Sequence, residues 1–392
     1  MAHTFALAVE ALTTVLAVAG LGYYLAALIA AYVFLGASRP RLGETAPGVS
    51  ILKSLKGMDP AMADAFRSHC RQSYPGDYEL LFGVSSLDDP AVAVVRELQQ
   101  EFPDRTIELF ECPERLGTNG KVSTLVQLAP HARHAFLLIN DSDITVGPRY
   151  LERVMSHFAP AGPSQGKPPL GLVTALYRGR AHGTLGSRLE AMGIATDFHP
   201  AVLLARWMEG GLRYGLGSTL AVSREALAAV GGLEALVDQL ADDYELGARI
   251  YAAGFRVALS DEPVETSVPA YDGRQFIDHQ LRWYRTVRDA RPMGYIGLVF
   301  THGFAWAVLN VLASGVSPLS LWLLGMVFFL RLSVAATVGV RVLRDHQVVA
   351  GLWLLPLRDM VAMGLWIAGF AGNTIVWRGE RFVVRDGKLI KA

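Results

Sequence analysis

The sequence has little cysteine and no excess of charge of either sign. Its two cysteines, Cys70 and Cys112, form no CxxC pair, which argues against a disulfide framework or a zinc site and is typical of reduced cytosolic thiols. The formal net charge is +0, so nothing indicates a nucleic-acid partner. The opening residues MAHT contain no lysine or arginine, which argues against a secretory signal peptide.

Apolar residues are plentiful. Of the 392 residues, 52% are hydrophobic and 18% are charged, and the mean hydropathy is +0.30. This balance predicts a water-soluble part joined to a membrane part. The stretch 5–36 is longer than the roughly 20 apolar residues that cross a bilayer, so residues 1–37 are predicted to be a retained transmembrane anchor. Arg39 and Arg41 follow the stretch, which predicts that the next domain faces the cytoplasm.

Short strands and helices alternate in residues 47–272. Strands are predicted at 49–55, 78–86, 105–111, 134–143 and 169–176. Helices are predicted between the first four strands, at 61–73, 91–101 and 121–128. This order predicts an α/β fold with a mostly parallel sheet and helices on both faces. In such sheets, ligands bind outside the carboxyl ends of the strands.

Acidic residues follow two of these predicted strands. Asp88 and Asp89 come after the second strand, and Asp141 and Asp143 form a DxD motif at the end of the fourth. Two neighbouring carboxylates suit Mg²⁺ or Mn²⁺, which prefer oxygen ligands and share their coordination shell with substrate phosphates. Chance occurrence of a DxD motif and an ordinary Asp-Pro turn are the alternatives.

A further acidic pair, Asp242 and Asp243, stands at the start of a predicted amphipathic helix. A helix N-terminus stabilises an anion by about 0.3–1 kcal/mol, so capping explains one carboxylate more easily than two. Lys121 begins another helix after a glycine-containing turn. It is either part of an anion site or an ordinary solvated lysine.

Residues 273–292 are predicted to form a basic amphipathic helix in the membrane interface. Beside Trp283, the helix carries a ridge formed by Arg282, Arg285, Arg288 and Arg291. Arg282 is a candidate phosphate ligand, and the other three arginines are predicted to bind lipid headgroups.

Residues 293–377 are predicted to be a C-terminal membrane region. Its three apolar stretches are 293–313, 318–340 and 349–377. The last stretch is interrupted by Arg358 and Asp359, and an ion pair inside a membrane is costly. A re-entrant or broken hairpin is therefore predicted there, because it also keeps the basic tail 378–392 in the cytoplasm.

Four motifs stand in a fixed order along the chain. They are DDPA (88–91), NDSD (140–143), ADDYELG (241–247) and HQLRW (279–283). Together they resemble the signature of family 2-type GT-A glycosyltransferases that are processive or act on lipids. With VSILKSLKG and GGLEALVDQL, the chain more closely resembles the ceramide glucosyltransferase family (family 21), including its bacterial branch tied to hopanoid glycosylation. The resemblance spans about Val49 to Tyr295.

The resemblance implies a metal-dependent, inverting enzyme of the bacterial inner membrane, with its catalytic domain facing the cytoplasm. It would move glucose or N-acetylglucosamine from a UDP-sugar to the hydroxyl of a membrane lipid, ceramide or a hopanoid. A processive polysaccharide synthase is the alternative, although the few membrane segments after the soluble domain argue against a polymer channel. A membrane scaffold that has lost activity is a third hypothesis.

The resemblance also implies roles for the acidic residues. Asp243 would be the catalytic base, with Asp242 beside it. Asp141 and Asp143 would bind Mg²⁺ or Mn²⁺ and, through it, the donor diphosphate. The first signature acid often directly follows the strand, where this chain has Ser86. The contact with uracil and ribose would therefore pass to one of the pair Asp88 and Asp89.

The remaining implied contacts involve both substrates. Lys121 and Arg282 would bind the nucleotide-sugar, and Trp283 would contact both the diphosphate and the acceptor. His199, in TDFHP, falls where the family has a histidine near the acceptor. The last motif begins with His279 where Gln or Arg is usual. Either His279 or Gln280 would therefore make the acceptor contact that the usual residue makes.

Overall fold

The computed structural model of the protein describes residues 2–59, 61–160, 166, 168–377, 380–385 and 387–391. Its main sheet consists of β1 (Val49–Leu55), β2 (Tyr78–Val84), β3 (Thr106–Glu111), β4 (Phe136–Ile139), β5 (Ile144–Thr145), β6 (Leu170–Ala181), β7 (Leu220–Ser223) and β8 (Arg256–Val268). The spatial order is β3-β2-β1-β4-β7-β6-β8-β5. All these strands run in one direction except β5 and β7, which confirms the mostly parallel sheet.

Helices precede, cover and follow this sheet. They are α1 (Ala2–Gly36), α2 (Met62–Cys70), α3 (Ala91–Glu101), α4 (Gly120–Leu128), α5 (Tyr150–Met155), α6 (Leu185–Gly193), α7 (His199–Met208), α8 (Arg224–Ala229), α9 (Asp242–Ala252), α10 (Gly273–Ala290), α11 (Pro292–Gly297), α12 (Gly303–Ala313), α13 (Pro318–Val334), α14 (Gln347–Gly351) and α15 (Leu355–Gly369). A π-helical turn, Ile194–Phe198, joins α6 to α7, and a second one, Ala335–Val342, extends α13.

The apolar side chains of the sheet are divided between two cores. In β1, Val49 and Ile51 pack with α2, α3 and α5, whereas Leu52 packs with α4, α8 and α9. Successive side chains of a strand point to opposite faces, so a continuously apolar strand needs helices on both sides. The two cores therefore confirm the predicted helix–sheet–helix arrangement.

The fourth predicted strand is shorter than expected. It ends at Ile139, so the DxD motif lies in the loop between β4 and the short antiparallel strand β5. Strand β6, in contrast, continues to Ala181, beyond its predicted end. The loop position brings the carboxylates to the sheet edge without pairing their backbone in the sheet.

Four helical segments of the described residues are long and apolar enough to cross a membrane: His3–Gly36, Pro292–Ala313, Pro318–Val342 and Gln347–Gly369. Helix α1 packs closely against α12 and α13. A Cβ atom on Gly20 would clash with the Cα atom of Gly303, so glycine at this position permits the contact of the two backbones. Close contact at small residues is a common way of packing helices in membranes.

The last apolar segment differs from the predicted hairpin. It is one helical segment that passes through Arg358 and Asp359 without reversing. At its start, Gln347 accepts a hydrogen bond from the backbone N–H of Ala181 at the end of β6 (3.2 Å). At its other end, the Gly369 carbonyl accepts one from Arg288 of α10 (2.6 Å). Both ends therefore contact the α/β layer or α10, and the segment does not form the predicted hairpin.

Four charged side chains join α15 to the rest of the protein. Arg358 Nη2 lies 3.0 Å from Asp197, in the π-helical turn, and Arg331 Nη2 of α13 lies 2.6 Å from Asp359. Arg331, Arg358 and Asp359 are buried. Buried charges are tolerated when they are paired, and here two cations balance two anions. The predicted interruption of the apolar stretch is thus an ion-pair contact between elements.

The basic ridge of α10 contacts protein, which corrects the predicted headgroup role of its arginines. Arg285 and Arg288 donate to backbone carbonyls between Gly369 and Thr374, just after the end of α15. Arg291 pairs with Glu209 at 3.1 Å. Cations favour the C-terminal end of a helix, where carbonyl groups lack partners within the helix.

The tail forms a small antiparallel sheet of its own, made of β9 (Thr374–Trp377), β10 (Glu380–Arg385) and β11 (Lys388–Lys391). Ile375, Phe382 and Val384 pack on Leu240. The backbone N–H of Leu240 donates to the Gly387 carbonyl at 3.0 Å. The tail therefore supports the loop that leads into α9.

Candidate active site

Two of the sequence motifs and Lys121 meet at the carboxyl edge of the sheet. Asp141, in the loop after β4, and Asp243, at the start of α9, both face Gly217: a Cβ atom there would lie 3.6 Å and 3.0 Å from their respective Oδ2 atoms. Lys121 Nζ, at the start of α4, lies 2.7 Å from Asp141 and 3.6 Å from Asp242. Asp141, Asp242 and Asp243 thus share one site, and Lys121 is part of it rather than a solvated lysine.

Asn119 holds the acidic pair in place. Its side-chain oxygen caps α4 by accepting a hydrogen bond from the Val122 backbone at 3.2 Å. Its amide group donates to the Gln239 carbonyl at 2.8 Å and to Asp242 Oδ1 at 3.3 Å. Asp242 therefore belongs to the site instead of capping its own helix. The sequence signal for Asn119 is an asparagine at a helix start, which indicates a cap but gives no sign of the second contact.

The electrostatics distinguish Asp243 from its neighbours. Burial raises the pKa of the Asp243 carboxyl above its ordinary value, and the negative charge of Asp242 raises it further, while Lys121 opposes both. Burial alone would lower the pKa of Lys121, but Asp141 and Asp242 outweigh it and hold the lysine in its charged form. Asp243 is thus a stronger base than an exposed aspartate.

The second carboxylate of the DxD motif is held by the neighbouring strand. Asp143 Oδ2 accepts hydrogen bonds from the Thr266 hydroxyl and from the Ser267 backbone, both on β8, the latter at 3.2 Å. Burial raises the pKa of Asp143 to about 6, and Asp141 adds to the effect. Asp143 is therefore pinned between the loop and the sheet.

A buried lysine lies beneath the DxD loop. Lys53, in the middle of β1, is 0% exposed and donates to the Asp141 carbonyl at 3.1 Å. Burial lowers its pKa to about 7, against the opposing effect of Asp143 and Asp141. Asp59 also belongs to this region, since it accepts a hydrogen bond from Ser142. In the sequence, the feature that could have identified Lys53 as a site residue is its charge within an otherwise mostly apolar strand.

The donor set fits a divalent cation that shares its shell with a substrate. Within the described part of the chain, no three His, Cys, Asp or Glu side chains converge tightly enough to hold a metal alone. Asp141 and Asp143 nevertheless supply hard oxygen atoms, and acidic residues outnumber the two lysines here. Mg²⁺ commonly takes one or two carboxylates, with phosphates and water completing its shell.

Asp88 and Asp89 lie at the next strand end and differ in their surroundings. Asp89 accepts hydrogen bonds from the backbone N–H groups of Gly57, at 2.9 Å, and Ala91, also at 2.9 Å. It thereby joins the loop after β1 to the start of α3. Asp88 is exposed.

Aromatic side chains form a wall beside the acids. Phe198, in the π-helical turn, lies between Tyr177 of β6 and Trp283 of α10, with ring centroids 5.7 Å and 6.2 Å apart. His199 is buried behind the wall, where its Nε2 atom accepts a hydrogen bond from the Tyr177 backbone at 3.3 Å, and burial lowers its pKa to about 3. π-Helical turns are frequent at functional sites.

The first two residues of the HQLRW motif contact an acid that the sequence did not reveal. His279 Nδ1 lies 3.0 Å from Glu190 Oε2 on α6, and Gln280 Nε2 lies 3.3 Å from the same oxygen. Arg282 Nη2 lies 2.8 Å from His279 Nε2. Glu190 belongs to no recognisable motif, and helical periodicity alone does not distinguish it from an ordinary surface glutamate.

Known proteins resemble this chain over most of its length. The family model described as Glycosyl transferase family 21 matches residues 12–390. Ceramide glucosyltransferase 3 of Caenorhabditis elegans is 26% identical over 283 residues, covering 70% of this chain and 59% of the relative. Ceramide glucosyltransferase 1 of the same organism is 23% identical over 362 residues, covering 88% of this chain and 74% of the relative. The matched part of the chain thus spans less than two thirds of the first of these relatives.

One of the solved structures that resemble this chain does so over most of its length. It is a mannosyltransferase from Pyrobaculum calidifontis in complex with GDP-Man and Mn²⁺, with a TM-score of 0.55 and 18% sequence identity. The alignment covers 92% of this chain and 97% of the other. The likeness confirms the predicted GT-A fold.

Proposed function

Because the chain belongs to glycosyl transferase family 21, we propose that it transfers glucose or N-acetylglucosamine from a UDP-sugar to the hydroxyl of a membrane lipid, ceramide or a hopanoid, with inversion at the anomeric carbon. One observation carries the proposal. The carboxylates of Asp243, whose pKa is raised, and of Asp141 face the same glycine, beside helices apolar enough to cross a membrane. A base beside a site for the donor diphosphate suits sugar transfer.

The donor would bind along the carboxyl ends of β1, β2 and β4. Asp141 and Asp143 would hold Mg²⁺ or Mn²⁺, which supplies neutralisation of the diphosphate charge when bound. Lys121 is close enough to Asp141 to contact the same phosphates. The exposed Asp88 is better available to the uracil and ribose than Asp89, which is occupied by two backbone N–H groups.

Asp243 would act as the general base. It would take the proton from the acceptor hydroxyl as that oxygen attacks the anomeric carbon from the face opposite UDP. The new carbon–oxygen bond forms while the bond to the diphosphate breaks, and UDP leaves with the electron pair. Arg282 would stabilise the charge that develops on the leaving diphosphate. Asp242, held by Asn119, would keep Asp243 basic.

The acceptor would reach the base along the aromatic wall. Tyr177, Phe198 and Trp283 offer apolar surface to a lipid, and Asp197, next to Phe198, pairs with Arg331 of α13. The wall is thus joined to the membrane helices. We place the catalytic side at the cytoplasmic face of a bacterial inner membrane, since Arg39 and Arg41 follow α1 on this side. His199 would support the wall from behind.

The test uses purified protein in vesicles that contain ceramide or a hopanoid, with each UDP-sugar and with Mg²⁺ or Mn²⁺. Lipid mass spectrometry should detect the mass of one hexose or N-acetylhexosamine added to the acceptor. Asp243→Asn should lower kcat by roughly 10²–10⁴-fold, the usual contribution of a general base. Glu245→Gln is the matched control, because Glu245 lies on the same helix but pairs with Arg249 at the surface. Long polymer instead of a singly glycosylated lipid would favour a polysaccharide synthase. Unchanged transfer by Asp243→Asn would refute the assigned base.

A further inference from the structure

Glu190 lies at the contact between α6 and α10 and is only 4% exposed. Its Oε2 atom receives both His279, at 3.0 Å, and Gln280, at 3.3 Å. A buried carboxylate needs partners that offset the loss of hydration. Two residues of a single motif supply them, so the carboxylate and the motif form one unit.

The hydrogen-bond partners of His279 indicate which ring nitrogen accepts and which donates. A guanidinium group has only N–H donors, so the His279 Nε2 atom that meets Arg282 at 2.8 Å must be the acceptor. A neutral imidazole then carries its proton on Nδ1, from which it donates to Glu190. The direction of donation is therefore from Arg282 to His279 and from His279 to Glu190.

The imidazole ring has little freedom to turn away. Tyr271 stacks on it with the ring centroids 5.1 Å apart and the planes at 27°, and Trp283 packs at 5.6 Å. These two ring contacts, with the hydrogen bonds to Glu190 and Arg282, hold the two nitrogen atoms in their observed directions. Glu190 thus acts on Arg282 through a rigid intermediate.

This chain of contacts adjoins the acids of the active site. Tyr271 is close enough to Glu190, Arg282 and Asp143 for all three charges to act on its pKa, which burial raises most. Tyr177 is likewise affected by both Asp243 and Glu190. Tyr271, which stacks on His279, is therefore a common neighbour of Arg282 and of the DxD carboxylate Asp143.

We propose that Glu190 is a positioning residue for the donor: through His279, it fixes the guanidinium of Arg282 in the direction of the nucleotide diphosphate. The inference rests on the proposed function, because it needs a diphosphate in the site. A diphosphate is recognised by a guanidinium in a fixed orientation, and side-chain freedom lost before binding is not lost again on binding. Glu190 should therefore control affinity for the nucleotide and leave affinity for the lipid unchanged.

The first experiment measures UDP binding by calorimetry, without a lipid acceptor, in the full-length protein with Mn²⁺ present. Glu190→Gln removes the charge of the acceptor that holds His279, and His279→Leu removes both hydrogen bonds. Each should weaken UDP binding about tenfold, as expected when a hydrogen bond to a charged group becomes neutral or is lost. His279→Gln keeps an amide donor for Glu190 and a carbonyl acceptor for Arg282. It should therefore retain affinity within about threefold of the wild type. Glu152→Gln, at a surface pair with Arg149, is the matched control and should leave binding unchanged.

The second experiment separates positioning from a general effect on folding. Glu190→Gln should raise the KM for the UDP-sugar about tenfold and leave the KM for the lipid unchanged. Rescue by a conservative variant adds a readout that a general effect on folding would not give. His279→Gln should keep the KM for the UDP-sugar within about threefold of the wild type, whereas His279→Leu should raise it about tenfold.

The outcomes distinguish a failure of the proposed function from a failure of the positioning role of Glu190. If the wild type neither binds UDP nor transfers sugar, the proposed function fails. If the wild type is active but Glu190→Gln binds UDP equally well, the positioning role is wrong. If Glu190→Gln raises both KM values alike, Glu190 acts on the fold as a whole and the proposal is overturned. If His279→Gln weakens UDP binding as much as His279→Leu does, His279 does not connect Glu190 to Arg282.

Discussion

Substitution of Gly217 tests whether the position of the proposed base, Asp243, limits the reaction. In Gly217→Ala, the new Cβ atom would lie 3.0 Å from Asp243 Oδ2, closer than ordinary van der Waals contact, and 3.6 Å from Asp141 Oδ2, which is ordinary contact. The Asp243 carboxylate must therefore move by a few tenths of an ångström. The substitution is small, and it affects the proposed base more than the proposed metal ligand.

The size of the effect follows from the geometry. A misplacement of about 1 Å at a reacting group costs on the order of 10²-fold in rate. A shift of a few tenths of an ångström should lower kcat by about 3- to 10-fold, or about 0.7–1.4 kcal/mol in the activation barrier. The KM for the UDP-sugar should stay close to that of the wild type, because Asp141 is not displaced.

The assay compares initial rates of glycolipid formation at saturating lipid, together with the thermal unfolding midpoint. Gly211→Ala is the matched control, because nothing lies within 4 Å of its added Cβ atom. It should keep the wild-type kcat. A Gly217→Ala protein with unchanged kcat would refute the idea that the position of Asp243 limits the reaction. A raised donor KM with unchanged kcat would mean that the glycine serves the donor instead.

Three further predictions concern charge and burial. Asp243 accepts a proton only when ionised and its pKa is raised, so a pH–rate profile should show kcat falling as the pH decreases through that raised value; a flat acidic limb would contradict this. Asn119→Ala removes a helix cap and the hydrogen bond to Asp242, so denaturant titration should give about 2–4 kcal/mol less stability, and an unchanged midpoint would contradict the double role. Arg331→Leu leaves Asp359 buried without its cation and should destabilise the protein by about 3–5 kcal/mol. The double variant Arg331→Leu/Asp359→Leu should recover part of this loss, and equal unfolding midpoints in the single and double variants would refute the pairing.

The sequence predicted the sheet and the meeting of its acids because both follow from local patterns. Apolar runs of strand length give β1 and β2 with little ambiguity. The carboxyl ends of parallel strands lie on one edge, so acids after different strands are brought together. This rule, together with the predicted helix start at Asp242 and Asp243, was enough to predict that Asp141 and Asp243 lie close together.

The remaining contacts depend on distances in space that a linear pattern does not contain. Glu190 and His279 are separated by 89 residues, and neither position has a spacing that relates it to the other. The roles of Arg285 and Arg288 could not be predicted, because an amphipathic basic helix has the same sequence whether it meets lipid phosphates or helix carbonyls. Hydropathy likewise shows that residues 347–369 are apolar, but it does not predict which elements the two ends of this segment contact.

The contact between the tail and Leu240 has a consequence for the order of events during synthesis. Chains fold progressively from the N-terminus as they are made, and β10 and β11 are made after all four apolar helices. The DxD loop can form early, whereas the loop before Asp242 lacks its support until Gly387 has been added. A chain still entering the membrane should therefore bind a nucleotide before it can transfer a sugar, and glycosylation should begin only after the membrane helices are in place.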